Sequence, residues 1–198
     1  MPEVVAFHVV VSTYGFWLPN DPRGSWSNEV RAENIAEFGP ATKVATTRSV
    51  AGASHDASAR LSAKRALVRP EVKFDGPQAR SVALGMGELA AQAGYVLYAF
   101  AILPQHVHMV IRRHRFAIEQ VVRKLRQAGT LRLLADGLHP FADLRGPTGR
   151  LPSVWAQDFW KVFLYSPLDV QRAVEYVEAN PVRDGKRRQN WSFVTQWR

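Results

Sequence analysis

Two histidines one residue apart, His106 and His108, stand in the segment Gln105-His106-Val107-His108. On a strand, side chains at i and i+2 leave the same face, so both imidazoles could share one divalent cation. Polar rings aimed from an apolar sheet need partners; a metal is one solution and ordinary hydrogen bonding is another. A second constellation lies seventy residues on. Tyr176 and Asn180 are four apart and so share one side of a helix. At about 100° per residue they flank the stripe of Val170, Val174 and Val177 instead of lying in its middle. A phenol in that position is available for chemistry. The competing assignment is a packing tyrosine at the core rim, with Asn180 ending the helix before Pro181. His8, in an apolar strand-like run, is a candidate proton acceptor or a buried structural histidine.

These residues need a framework, and the sequence supplies one. Val4 to Ser12 is β-branched and apolar and reads as a buried strand. Thr13 to Asp75 is rich in Pro, Gly and small polar residues, which indicates loops with short helices; its length marks it as an insertion after the first strand. Gly76-Pro77 opens a helix that closes at Gly94. Tyr95 to Leu103 is apolar throughout, the pattern of a central strand. After the break at Pro104-Gln105, His106 to Arg113 alternates, with Val107, Met109 and Ile111 on one face and His106, His108 and Val110 on the other. Phe116 to Ala135 has a helical stripe of Ile118, Val122, Leu125 and Ala128. Ser153 to Tyr165 supplies a fourth strand, and Ser166-Pro167 with Asp169 starts a final helix. The order matches an α+β, ferredoxin-like βαββαβ antiparallel sheet with helices on one face, plus a C-terminal helix bearing Tyr176. Residues 1–198 are expected to form a single domain carrying the insertion at about 13–75.

Composition narrows the chemistry further. The chain has 198 residues and a net charge of +9. Its first hundred residues carry 10 basic and 9 acidic side chains, and the remainder carry 16 and 8. A basic half of this kind suits a polyanion, nucleic acid first and anionic membrane second, although a solubility surface has the same signature. There is no cysteine, which removes disulfides, thiolate metal sites and cysteine nucleophiles. No apolar run is long enough to span a membrane, and no secretory signal is visible, so a cytoplasmic location is expected.

Together, Ala99 to His114 (AFAILPQHVHMVIRRH) and Ala173 to Gly185 (AVEYVEANPVRDG) resemble the single-tyrosine HUH transposases, particularly the REP-associated tyrosine transposase branch. The resemblance covers roughly residues 4–13 and 76–185. It departs at Trp160-Lys161-Val162-Phe163, which lacks the family's usual Asp-His pair. It implies that His106, His108 and Asn180 hold a divalent metal and that Tyr176 is the nucleophile. Mixed nitrogen and oxygen ligation suits Mg²⁺ or Mn²⁺, with Mn²⁺ better matched to imidazole. The implied activity is cleavage and rejoining of single-stranded or hairpin DNA through a 5′-phosphotyrosine, by a homodimer with no membrane role. Arg112, Arg113, Arg115, Arg123, Lys124, Lys186, Arg187 and Arg188 would track phosphates. Trp17 and Trp26, in an aromatic loop, would either stack on bases or pack over the sheet. A non-catalytic nucleic-acid binder on the same core is the alternative function.

Overall fold

The computed structural model describes residues 2–19, 33–39, 56–146 and 149–198. Trp26 and much of the insertion lie outside them. Strand β1 (Ala6–Thr13) is followed by two short helices, α1 (Glu33–Ala36) and α2 (Ala57–Arg65). Then come α3 (Gly76–Ala93), β2 (Leu97–Leu103), β3 (His106–Arg112), α4 (Ile118–Ala135), β4 (Trp155–Leu164) and α5 (Pro167–Arg183). The four strands form one antiparallel sheet in the order β2-β3-β1-β4. That is the ferredoxin-like arrangement expected from the order of elements. Among the described residues, no helix is long and apolar enough to cross a membrane.

The alternation in β3 divides the molecule into two cores. Val107, Met109 and Ile111 point to one face and join Val82, Met86, Val122 and Leu125 in the larger core under α3 and α4. Val110 points to the other face and joins Ala6, Ala99, Ala101, Val170, Ala173 and Val177 beneath α5. Three of the sheet residues there are alanines, so the helix can approach closely without leaving a void. Two of the three long helices, α3 and α5, start with capping boxes, whereas α4 starts at Ala117 without a side-chain cap. Asp75 and Gln78 exchange side-chain-to-backbone hydrogen bonds at α3, and Ser166 with Asp169 does the same at α5. At the other end of α3, Gly94 adopts a left-handed conformation (φ 70°), which a glycine accepts at least cost.

Two expectations are corrected. β2 is an edge strand, paired with β3 alone among the described strands. It is apolar on both faces because α3 and α5 cover it, and the C-terminal segment straps its open edge. The Gln189 side chain accepts from the Ile102 backbone N–H (2.9 Å) and donates to the Ile102 carbonyl (2.7 Å), while the Thr195 N–H donates to Leu97 (2.8 Å). Trp191 and Phe193 pack on Phe100. The second correction concerns α5, which continues through Pro181 to Arg183. Asn180 is therefore inside the helix and does not end it. Pro181 forfeits one helical donor, but its ring is buried.

The insertion returns against the site end of the sheet. The Thr13 hydroxyl donates to the carbonyls of Val72 (2.7 Å) and Gln105 (3.0 Å), and the Phe74 N–H donates to Pro104 (2.7 Å). These bonds fix the end of β1 beside the β2–β3 turn. Phe16, three residues beyond Thr13, thereby comes to lie against His106.

Candidate active site

β3 sends His106 and His108 out on the face covered by α5, as the alternation requires. Their ring centroids are 4.8 Å apart. β1 pairs antiparallel with β3, Val10 lying opposite His108, so His8 is its diagonal neighbour on the same face. Nε2 of His8 is 3.2 Å from Nδ1 of His108. α5 then brings down Tyr176 and Asn180. The Asn180 amide nitrogen is 3.3 Å from Nε2 of His108. The Tyr176 ring lies 5.8 Å from that of His108 and 5.6 Å from that of His8. The helix thus delivers both of its flanking polar residues to the two-histidine strand.

Burial grades the members of this group. His8 and His108 are almost fully buried, His106 is half-buried and Tyr176 is 41% exposed. Burial disfavours the charged imidazolium and pushes the pKa of His8 down to about 4. His108 is held well below the usual histidine range, mainly by burial and then by its two histidine neighbours. Both rings are therefore neutral at pH 7. The His106 and His108 imidazoles at ring-contact distance, with the Asn180 amide adjoining, form a donor set that suits a divalent cation with mixed nitrogen and oxygen preference. Among the described residues no group of three or more His, Cys, Asp or Glu could hold a metal. A third protein ligand would have to be the Asn180 amide.

Within the aromatic loop that the sequence marks, Phe16 stacks on His106 at 5.1 Å, and the Trp17 indole N–H donates to Ser12. Two further neighbours escape the sequence reading. Trp160, in the segment that departs from the family pattern, meets His8 edge-on at 5.0 Å. The Arg183 guanidinium lies over the Tyr176 ring, 5.4 Å from its centroid. Arg183 has a readable signal, because residue 183 is seven after Tyr176 and three after Asn180, on the same helix side. Trp160 reaches the site through a cross-strand contact that leaves no local periodicity.

The candidate DNA-binding cations are dispersed. Arg112, Arg113 and Arg115 lie at and beyond the far end of β3; at about 3.3 Å per residue, Arg112 is roughly 20 Å along the strand from His106. Arg113 is paired with Glu3 at 2.7 Å. Arg123 and Lys124 are exposed on α4, across the sheet from the site. Lys186, Arg187 and Arg188 follow α5 directly; Lys186 pairs with Asp184 (3.0 Å) and Arg188 with Glu178 (2.8 Å), while Arg187 is exposed. Trp17 is half-buried beside His106.

No protein-family model matches this chain, and no curated protein matches it. Among solved structures the fold is similar to that of a REP-associated tyrosine transposase bound to a REP hairpin. That likeness has 12% sequence identity and a TM-score of 0.48, covering 93% of this chain and 72% of that one. It is also similar to a protein of Deinococcus radiodurans R1 described as a candidate transposase, at 14% identity and a TM-score of 0.39, covering 90% and 92%.

Proposed function

We propose that this protein is a DNA transposase that cleaves and rejoins single-stranded or hairpin DNA through Tyr176, with a divalent metal held by His106, His108 and Asn180. The supporting observation is the convergence of a strand pair and a helix pair, about seventy residues apart in sequence, on one face of the sheet. Within that group the phenol is the exposed member, and burial favours the neutral form of His108. An Mn²⁺ or Mg²⁺ ion bound there supplies polarisation of a phosphodiester and neutralises the charge that grows on its oxygens.

The chain's own residues perform the remaining steps. Tyr176 Oη attacks the phosphorus in line; the Oη–P bond forms as the P–O3′ bond breaks. The phenolic proton departs to solvent and the leaving 3′ oxygen takes one up, giving a 5′-phosphotyrosine and a free 3′-OH. The new ester conserves the energy of the broken one, so attack by another 3′-OH rejoins strands without a nucleotide cofactor. The Arg183 guanidinium over the Tyr176 ring would draw a phosphate to the same spot.

Incubation with single-stranded DNA containing a cognate hairpin, in Mn²⁺, should yield a covalent protein–DNA band on a denaturing gel. Tyr176→Phe should abolish it. DNA binding with no covalent species in wild type would instead support the non-catalytic binder.

A further inference from the structure

We infer that His8 is a positioning residue for His108, fixing which of its nitrogens faces the candidate metal position. This rests on the metal-binding reading above. The two nitrogens of His108 are engaged from opposite sides: Nδ1 by Nε2 of His8 at 3.2 Å, and Nε2 by the Asn180 amide nitrogen at 3.3 Å. An amide NH₂ can only donate, so Nε2 of His108 must present its lone pair. The single ring proton then sits on Nδ1 and is donated to Nε2 of His8. His8 in turn must carry its own proton on Nδ1. One directional chain runs from Asn180 through His108 to His8; a cation at Nε2 would take the place of the Asn180 N–H there, leaving the amide oxygen as that residue's ligand.

A metal-binding imidazole requires this state: a bare nitrogen toward the cation, and an N–H on the other side held by an outer partner. Here the outer partner is a neutral imidazole and not a carboxylate, so it orients the ring without adding negative charge. His8 is itself well fixed. β1 is hydrogen-bonded on both sides, with His8 paired to Val110 and to Val162, and its ring is bounded by Trp160 and Tyr176. Its position is therefore set by the middle of the sheet, the stiffest part of the fold, and passes to His108 by one hydrogen bond.

The test uses long-range ¹H–¹⁵N NMR of the metal-free, histidine-labelled protein, together with Mn²⁺ titration by calorimetry. Wild type should show His108 protonated on Nδ1 and bare at Nε2. His8→Leu, which fills space but cannot accept, should give mixed tautomers and bind Mn²⁺ about tenfold or more weakly. His8→Gln, whose side-chain oxygen can accept where Nε2 stood, should recover most of the affinity. Thermal unfolding of both variants separates this from lost packing, which would not follow the Leu/Gln difference in acceptor. A wild-type proton on Nε2 of His108, or unchanged tautomer and affinity in His8→Leu, would overturn the inference. Failure of wild type to bind Mn²⁺ would overturn the metal reading instead, and the tautomer would still decide the role of His8.

Discussion

His106 and His108 are two residues apart, yet their surroundings assign them different costs on removal. His108 is buried and its ring nitrogens are engaged by His8 and Asn180, so His108→Ala strands two polar groups in an apolar setting. That should lower folding stability by about 1–3 kcal/mol, beyond the packing loss. His106 is half-buried against Phe16, and His106→Ala should cost less. Both substitutions should abolish metal-dependent cleavage while sparing much of the DNA affinity. Thermal melts beside cleavage gels check this; if the only effect of His106→Ala is unfolding, the histidine pair is structural. Arg183 offers a subtler readout. A cation over an exposed aromatic ring is worth about 0.5–1 kcal/mol, so Arg183→Ala should slow covalent-adduct formation by a factor of about 2–5 with an unchanged melting temperature. At this scale the sequence was informative wherever spacing encodes geometry. The i,i+2 histidines and the i,i+4 Tyr176–Asn180 pair converge, and the same helical arithmetic extended one turn would have found Arg183. Phe16 comes from the aromatic loop that the sequence marks, whereas Trp160 approaches from β4 and nothing in its local pattern places it at the site.

Elements were legible because their end signals are chemical. Ser166-Pro167 and Asp169 start α5, and Gly94 stops α3, at the positions their side chains dictate. Where the structure departs from the sequence pattern, the cause is that burial belongs to what packs on a strand or helix and not to that element alone. β2 is apolar on both faces because α3 and α5 sandwich it, and its edge is closed by residues 189–195, a segment without strand periodicity. Asn180-Pro181 reads as a stop, but a proline late in a helix removes only one donor, and buried packing outweighs that loss. The packing of α3 on α4 yields a quantitative expectation. A Cβ added at Gly85 would stand 2.7 Å from the Ala128 carbonyl oxygen, a backbone atom that cannot rotate away. Gly85→Ala should therefore destabilise the protein by about 1–3 kcal/mol, against the gain of roughly 1 kcal/mol that alanine brings to an open helix position. Denaturant unfolding would measure it, and a more stable variant would show that the two helices can separate at little cost.

For the whole molecule, the question is which of its positive charges a nucleic acid would feel. The surplus in the second half of the sequence does not form one patch. Part sits beyond the far end of β3, part on α4 across the sheet, and part around the end of α5, where Arg183 lies over Tyr176 and Arg187 is exposed. Ion pairs with Glu3, Asp184 and Glu178 already engage Arg113, Lys186 and Arg188. If a strand crosses the tyrosine face, the cations at the end of α5 make the phosphate contacts and those on α4 make none. For single-stranded nucleic acid, each neutralised phosphate contributes about 0.7 to the slope of log affinity against log salt. Replacing Arg183 and Arg187 together by Gln should therefore flatten that slope by about 1.4 and weaken binding most at low salt. Arg123→Gln with Lys124→Gln, which removes the same charge from the opposite face, should leave the slope nearly unchanged. Fluorescence-anisotropy titrations of both double variants across salt concentration would decide it. Equal flattening by the two pairs would mean that the strand does not follow the face that bears Tyr176, and the proposed catalytic geometry would fail with it.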